Sequence, residues 1–199
     1  MTEANGRRAD HPIDELFLER WSPRAFTGET MPHHELLTIL EAATWAPSGY
    51  NAQPWRFIYA HRDTPHFETL LKPLIPFNQG WAKNASVLLY VVSHTVLTPP
   101  GKDQPVPNHS HSFDAGAAWA LLALQAHLKG WATHGMTGVD FAAAAEALNV
   151  PADYRIEAAV AIGRRADPSV LDEAARAREV PNSREPVQSK IFEGTFRSA

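Results

Sequence analysis

Residues 86–94 read SVLLYVVSH, and this run limits the fold more than any other stretch. Apolar side chains fill consecutive positions, so a strand made of them is buried on both faces. It is far too short to cross a bilayer. Helical patterns on either side can supply the cover. Leu36, Leu37, Ile39, Leu40 and Ala43 form an apolar stripe after Pro32; Glu35 suits the positive helix end and Pro47 stops the helix. Residues 113–130, FDAGAAWALLALQAHLKG, are apolar nearly all round and predict a buried central helix stopped by Gly130. Shorter helices are predicted at Ile13–Phe17, at 66–72 and at 141–148, with a further candidate at 169–178. WRFIYA (55–60) and YRIEAAVAIG (154–163) read as strands. The second places Tyr154, Ile156, Ala158, Val160 and Ile162 on one face. Strands interleaved with helices imply a single sheet covered by helices, in the α/β or α+β class.

The remaining stretches read as irregular. Residues 1–12 are polar and are expected to be flexible. Residues 94–112 hold four prolines and no period, as a long loop or lid would. WATHGMTGV (131–139) reads as a loop. The extension at 166–199 lacks a core of its own and is expected to pack on a partner subunit. Residues 13–199 therefore count as one domain. The net charge of -4 gives no reason to expect nucleic acid as partner. No apolar segment is long enough for a membrane span, and residues 1–12 contain no secretory apolar region, so a cytoplasmic location is the expectation. Cysteine is absent, which removes disulfides and thiolate catalysis.

Two short segments carry an excess of ligand-type side chains. In RWSPRAF, Arg20, Ser22 and Arg24 alternate, so an extended backbone points all three the same way. Two guanidinium forks and a hydroxyl suit a phosphate; a solvated surface with two arginines fits the same spacing. In PSGYNAQPW (47–55), Asn51 and Gln53 alternate between Pro47 and Pro54. Their amides can read the edge of a flat heterocycle, or cap a plain turn. Arg184 stands alone in polar sequence, and Gly135 and Gly138 would let a backbone approach a ligand closely. His109 and His111 form an HxH pair without a nearby carboxylate, a poor metal site. No phosphate-binding glycine loop, dinucleotide fingerprint or nucleophile elbow occurs.

Taken in order, these segments resemble the FMN-dependent nitroreductase family. The likeness runs through Arg20-Trp21-Ser22-Pro23-Arg24 with Phe26, then Ala46–Trp55. It continues through Asn78 ahead of the strand at 86, the helix opening Asp114-Ala115-Gly116-Ala117-Ala118, Gly138, the Ile162-Gly163 strand end and Arg184. The resemblance implies a mixed sheet flanked by helices and an intertwined homodimer with FMN at the interface. It gives the phosphate and ribityl chain to Arg20, Ser22, Arg24 and Arg184, with Trp21 in the same element. Asn78 would face the pyrimidine edge of the flavin, and Thr137 and Gly138 would lie near N5. Pro47, Ser48, Asn51 and Gln53 would serve the neighbouring subunit's flavin. Trp81 and Asn182 stand where many members carry lysine, and Thr137 where many carry glutamate.

The implied activity is hydride transfer from NADH or NADPH, by way of flavin N5, to a small organic acceptor in a ping-pong cycle. Nitro compounds, quinones and enones are the acceptor classes. No side chain need act as catalyst, since the flavin carries the chemistry. A flavin-storing or sensing protein with little turnover is the alternative, motivated by Trp81 and by the bulky Trp45 and Trp55.

Overall fold

The computed structural model describes residues 1–197; the end of the extension expected to reach Ala199 lies outside them. Four strands form the main sheet: β3 (Trp55–His61), β4 (Val87–His94), β7 (Ala132–Met136) and β8 (Tyr154–Gly163). Their order is β3-β4-β8-β7, and every pairing is antiparallel. The mixed sheet expected from the resemblance is thus corrected to an antiparallel one within this chain. The cover on the two faces makes the fold α+β. The run at 86–94 becomes β4, second in the order and paired on both sides, as continuous apolarity requires.

Val87, Leu89 and Val91 face one layer and Leu88, Tyr90 and Val92 the other. The first layer is α2 (His33–Thr44), through Leu36, Ile39 and Ala43, and α5 (His111–Leu128), through Ala115, Ala118 and Leu122. The second is built from α3 (His66–Leu71), α4 (Pro76–Ala82), α6 (Phe141–Ala147) and α7 (Glu173–Arg176). α5 is not buried all round. Phe113 is 81% and Leu128 64% exposed, and Gly116 and Ala120 lie on the same uncovered face. Nothing among the described residues packs there. No helix among the described residues is long and apolar enough to cross a membrane.

Three stretches differ from their sequence reading. Residues Thr2–Ala4 (β1) and Arg7–Ala9 (β2) pair as a hairpin where a flexible terminus was expected. Asn5 (φ 52°) and Gly6 (φ 68°) supply the left-handed pair that a tight two-residue turn demands. Residues Val96–Leu97 (β5) and Val106–Pro107 (β6) close a second small hairpin inside the long loop. WATHGMTGV contains β7, an edge strand whose Gly135 hides the strand pattern.

The fourth difference concerns β8. The register against β4 slips between Val91 and Val92, leaving Glu157 as the extra residue of a bulge. Ile156 therefore shares a layer with Ala159 and Ala161, while Val160 and Ile162 face the other. The bulge gives Glu157 hydrogen bonds from Ser93 (2.5 Å), Ser112 (2.9 Å) and Arg155 (2.6 Å). Burial works to raise its pKa, and those donors hold it below the ordinary carboxylate value instead.

Tyr90 spans the second layer, its hydroxyl donating 3.0 Å to the Leu70 carbonyl in a fully buried setting. Burial pushes the phenol pKa up, so it stays a donor. Tyr90→Phe is expected to cost about 1–2 kcal/mol, because Leu70 keeps a desolvated carbonyl without its partner. Urea denaturation of the two proteins measures this.

Candidate functional site

The segment after α1 (Leu16–Glu19) runs extended. Trp21, Pro23 and Ala25 are buried, while Arg20, Ser22 and Arg24 are half-buried and line one cavity. Glu179 fixes this backbone. Its carboxylate accepts the Arg24 and Ala25 amides at 2.9 Å, and its side chain is almost wholly buried. Because those amides occupy the carboxylate, it lies 3.9 Å from the Arg24 guanidinium and only partly offsets it. Arg24 Nη1 donates to the Arg178 carbonyl at 3.0 Å.

The cavity holds about 160 Å³. Five arginines line it: Arg7, Arg20, Arg24, Arg178 and Arg184, with Trp21, Ser22, His134, Val180 and Asn182. No carboxylate is among the lining residues. Burial lowers the pKa of Arg7 and Arg20, and the charge of Arg184 lowers both further; Arg20 adds to the effect on Arg7. All remain cations at neutral pH. The Nε atoms of Arg7 and Arg24 are buried without a hydrogen-bond partner. Clustered like charges and idle donors suit an anion, and guanidinium forks with a hydroxyl fit a phosphate.

His134, on β7, contributes a neutral group. Its Nδ1 lies 3.0 Å from the Pro23 carbonyl, to which it donates. Burial, then the charge of Arg24, push its pKa down to about 4, against the hydrogen bonds to Pro23 and Ser22. The Trp81 ring lies tilted against it, with centroids 4.7 Å apart, but the indole is 2% exposed and packs against Phe26, so Trp81 stands behind the cavity rather than in its wall.

Beyond β7 the chain enters Thr137 and Gly138. Gly138 meets α4 there: Asn78 Nδ2 donates to its carbonyl at 3.1 Å, as does the Ile75 amide at 3.0 Å. A Cβ on Gly138 would lie 2.6 Å from Asn78 Nδ2. Its close approach is therefore to Asn78, and that of Gly135 is to Trp119 at 3.1 Å. The four residue steps from His134 to Gly138 span at most about 14 Å, so β7 ties the arginine cavity to the Asn78–Gly138 pair.

PSGYNAQPW lies elsewhere. It forms a tight turn at Gly49–Asn51, and Tyr50 (φ 55°), Asn51 (φ 53°) and, just beyond it, Gln53 (φ 46°) are all left-handed. Such residues cost of the order of 1–2 kcal/mol each. Ser48 Oγ accepts the Gln53 amide (3.0 Å) and Asp114 accepts the Gly49 amide (3.1 Å). Pro47, Asn51 and Gln53 are exposed. Asn51 lines a separate cavity of about 370 Å³ with His94, Val96 and Asn108, and shares no wall with the arginines. One chain thus unites Arg20, Ser22, Arg24 and Arg184, joins Asn78 to Gly138, and leaves Asn51 and Gln53 apart. Arg7, Arg178 and His134 were not anticipated. The Asn5-Gly6 turn was the available signal for Arg7.

An antiparallel sheet between helical layers, with an arginine-lined anion cavity at one edge strand, defines a class of α+β ligand-binding protein. The chain belongs to the Nitroreductase family, whose model matches residues 18–75 and 64–164. A solved structure described as an oxidoreductase containing FMN is 49% identical and superposes with a TM-score of 0.96 over 100% of both chains. Iodotyrosine deiodinase of Thermotoga neapolitana is 27% identical over 176 residues, 77% of this chain and 89% of that one. The provisionally named NAD(P)H nitroreductase YdgI of Bacillus subtilis is 46% identical over 57 residues; the match spans 29% of this chain and 26% of that protein.

His134 gives the site a pH signature. The unfolded chain takes up a proton near pH 6.5, while the folded protein resists until about pH 4. The stability conferred by the neutral imidazole is whole above 6.5 and is lost as pH falls toward 4, by about 3 kcal/mol in all. Denaturation midpoints across pH 4–7 are expected to show this fall, and His134→Gln to flatten it. An NMR titration is expected to leave the His134 ring unprotonated at pH 5.5.

Proposed function

We propose that the arginine cavity holds the phosphate of FMN and that the protein is an FMN-dependent oxidoreductase. The observation that carries this reading is a cavity lined by five arginines and no carboxylate, on a chain 49% identical throughout to an oxidoreductase containing FMN. When bound, FMN would supply the redox chemistry, hydride transfer from NADH or NADPH to a small acceptor (a nitro compound, quinone or enone) in alternating half-reactions. The chain's own residues bind and orient. Arg20, Ser22, Arg24 and Arg184 hold the phosphate. His134 stays neutral beside it and adds no further positive charge. Asn78 is fixed by the Gly138 carbonyl, which leaves its amide oxygen to receive a donor on the pyrimidine edge.

The reading includes a homodimer. The free face of α5 with Phe113, and the exposed Trp45 and Tyr50 (78% and 76%), offer apolar area that nothing among the described residues covers. The tail carries Val187, Ile191 and Phe196 exposed as well, as a segment laid on a partner would. Under this arrangement Pro47, Ser48, Asn51 and Gln53 reach the second subunit's flavin, which accounts for their separation from the arginines. The loop at 94–112 adjoins Asn51 and serves as the lid on the acceptor side.

Apoprotein is expected to bind FMN, and anaerobic NADH or NADPH to bleach the flavin within a catalytic cycle's time. A protein that binds no added FMN overturns the proposal; one that binds it and resists bleaching points to flavin storage. Arg24→Ala is expected to weaken FMN binding by about 1.5–3 kcal/mol in a fluorescence titration. Sedimentation is expected to give a dimer.

A further inference from the structure

Arg7 lies outside the stretches matched by the family model and outside every motif of the sequence. The hairpin nevertheless delivers it into the arginine cavity. Thr2 Oγ1 donates to the Ile13 carbonyl (2.7 Å) and Asn5 Nδ2 to that of Glu19 (3.2 Å), which seats the hairpin on α1. Arg7 Nη2 then donates to the Arg20 carbonyl at 2.9 Å, fixing one guanidinium beside another. The residue is 8% exposed, its Nε is buried without a partner, and no carboxylate among the described residues pairs with it. A hairpin anchor alone would need no charge, and burying one next to Arg20 and Arg184 is unfavourable unless an anion joins them.

Position adds a second argument. Arg7, Asn182 and Arg184 also line a neighbouring, mostly apolar cavity of about 400 Å³, with Ile13, Phe17 and Val187. Arg7 therefore stands in the wall between a small anion cavity and a roomier one. We propose that Arg7 is a specificity-determining ligand that ends the phosphate site, selecting a terminal phosphomonoester over a diester or an unphosphorylated ligand. The proposal rests on the FMN reading for the identity of the ligand, and on the cavity alone for the anion. A monoester brings nearly two negative charges at neutral pH to the cluster. Each phosphate of a dinucleotide such as FAD brings one, and its chain would have to continue past Arg7.

The test compares apoprotein with Arg7→Gln and Arg7→Lys. Dissociation constants for FMN, riboflavin and FAD are read from fluorescence, and thermal shifts are recorded with inorganic phosphate. Arg7→Gln is expected to weaken FMN about 10- to 100-fold and to leave riboflavin unchanged, so that the preference for FMN over FAD collapses. Phosphate is expected to stabilise the wild type and not the variant, and Arg7→Lys to recover part of both effects. Unchanged FMN affinity, or an equal loss for FMN and riboflavin, overturns the proposal and makes Arg7 a hairpin anchor. If Arg7→Gln fails to fold, the same ratios read on Arg7→Lys decide. If no flavin binds the wild type while phosphate still stabilises it through Arg7, the flavin reading fails and the assignment of Arg7 to an anion stands.

Discussion

Like charges gathered around one cavity repel one another, and this chain gathers five of them, with Arg7 buried, Arg20 and Arg24 half-buried, and Arg178 and Arg184 exposed. Arginines from the N-terminal hairpin, the extended segment after α1 and the C-terminal stretch meet in one cavity without a facing carboxylate. Burial strengthens that repulsion at Arg7 and Arg20, which feel one another and Arg184. The sheet and its helical layers must therefore hold the three segments together against it. Tertiary packing does this through a few anchors. β7 supplies the floor, Glu179 grips the Arg24 backbone, and the hairpin is fastened to α1. Each anchor binds backbone, and so leaves the guanidinium charge free for a ligand.

Glu179 illustrates the principle. A buried carboxylate near an arginine would ordinarily form a close ion pair and cancel the site. Here two main-chain amides occupy its oxygens, and the nearest guanidinium nitrogen is 3.9 Å away. The acid orders the clamp without neutralising it. His134 behaves alike: held neutral by burial and by the Arg24 charge, it fills space beside the cations without adding to their repulsion.

What the sequence disclosed follows from which signals are local. β4 was legible because its apolarity is continuous, and α2 because its stripe has the helical period. The alternation of Arg20, Ser22 and Arg24 was legible because an extended chain has period 2. Glu157 broke the reading of β8, since a bulge changes the face of every later residue while leaving no apolar gap in the sequence. β7 was lost to Gly135. α5 looked buried all round because an exposed apolar face has the same composition as a covered one. Arg7, Arg178 and His134 reach the cavity through contacts distant in sequence, so no spacing rule could have joined them to Arg20.

The strained turn at 49–53 poses a different problem. Three left-handed non-glycine residues in five positions persist only where the surroundings over-determine them. Those surroundings are visible: Pro47 and Pro54 restrict the ends, while Ser48 and Asp114 tie down the Gln53 and Gly49 amides. Yet these supports point the Asn51 and Gln53 region away from the arginine cavity of their own chain. Strain maintained at that cost, with the amide side chains exposed, would serve the proposed dimer if the free apolar face of α5 is its interface. The opening of α5 carries Asp114, the acceptor of the Gly49 amide, so a partner packed on that helix would also set the position of the turn. In the proposed dimer, cofactor binding and assembly would then be linked through this turn.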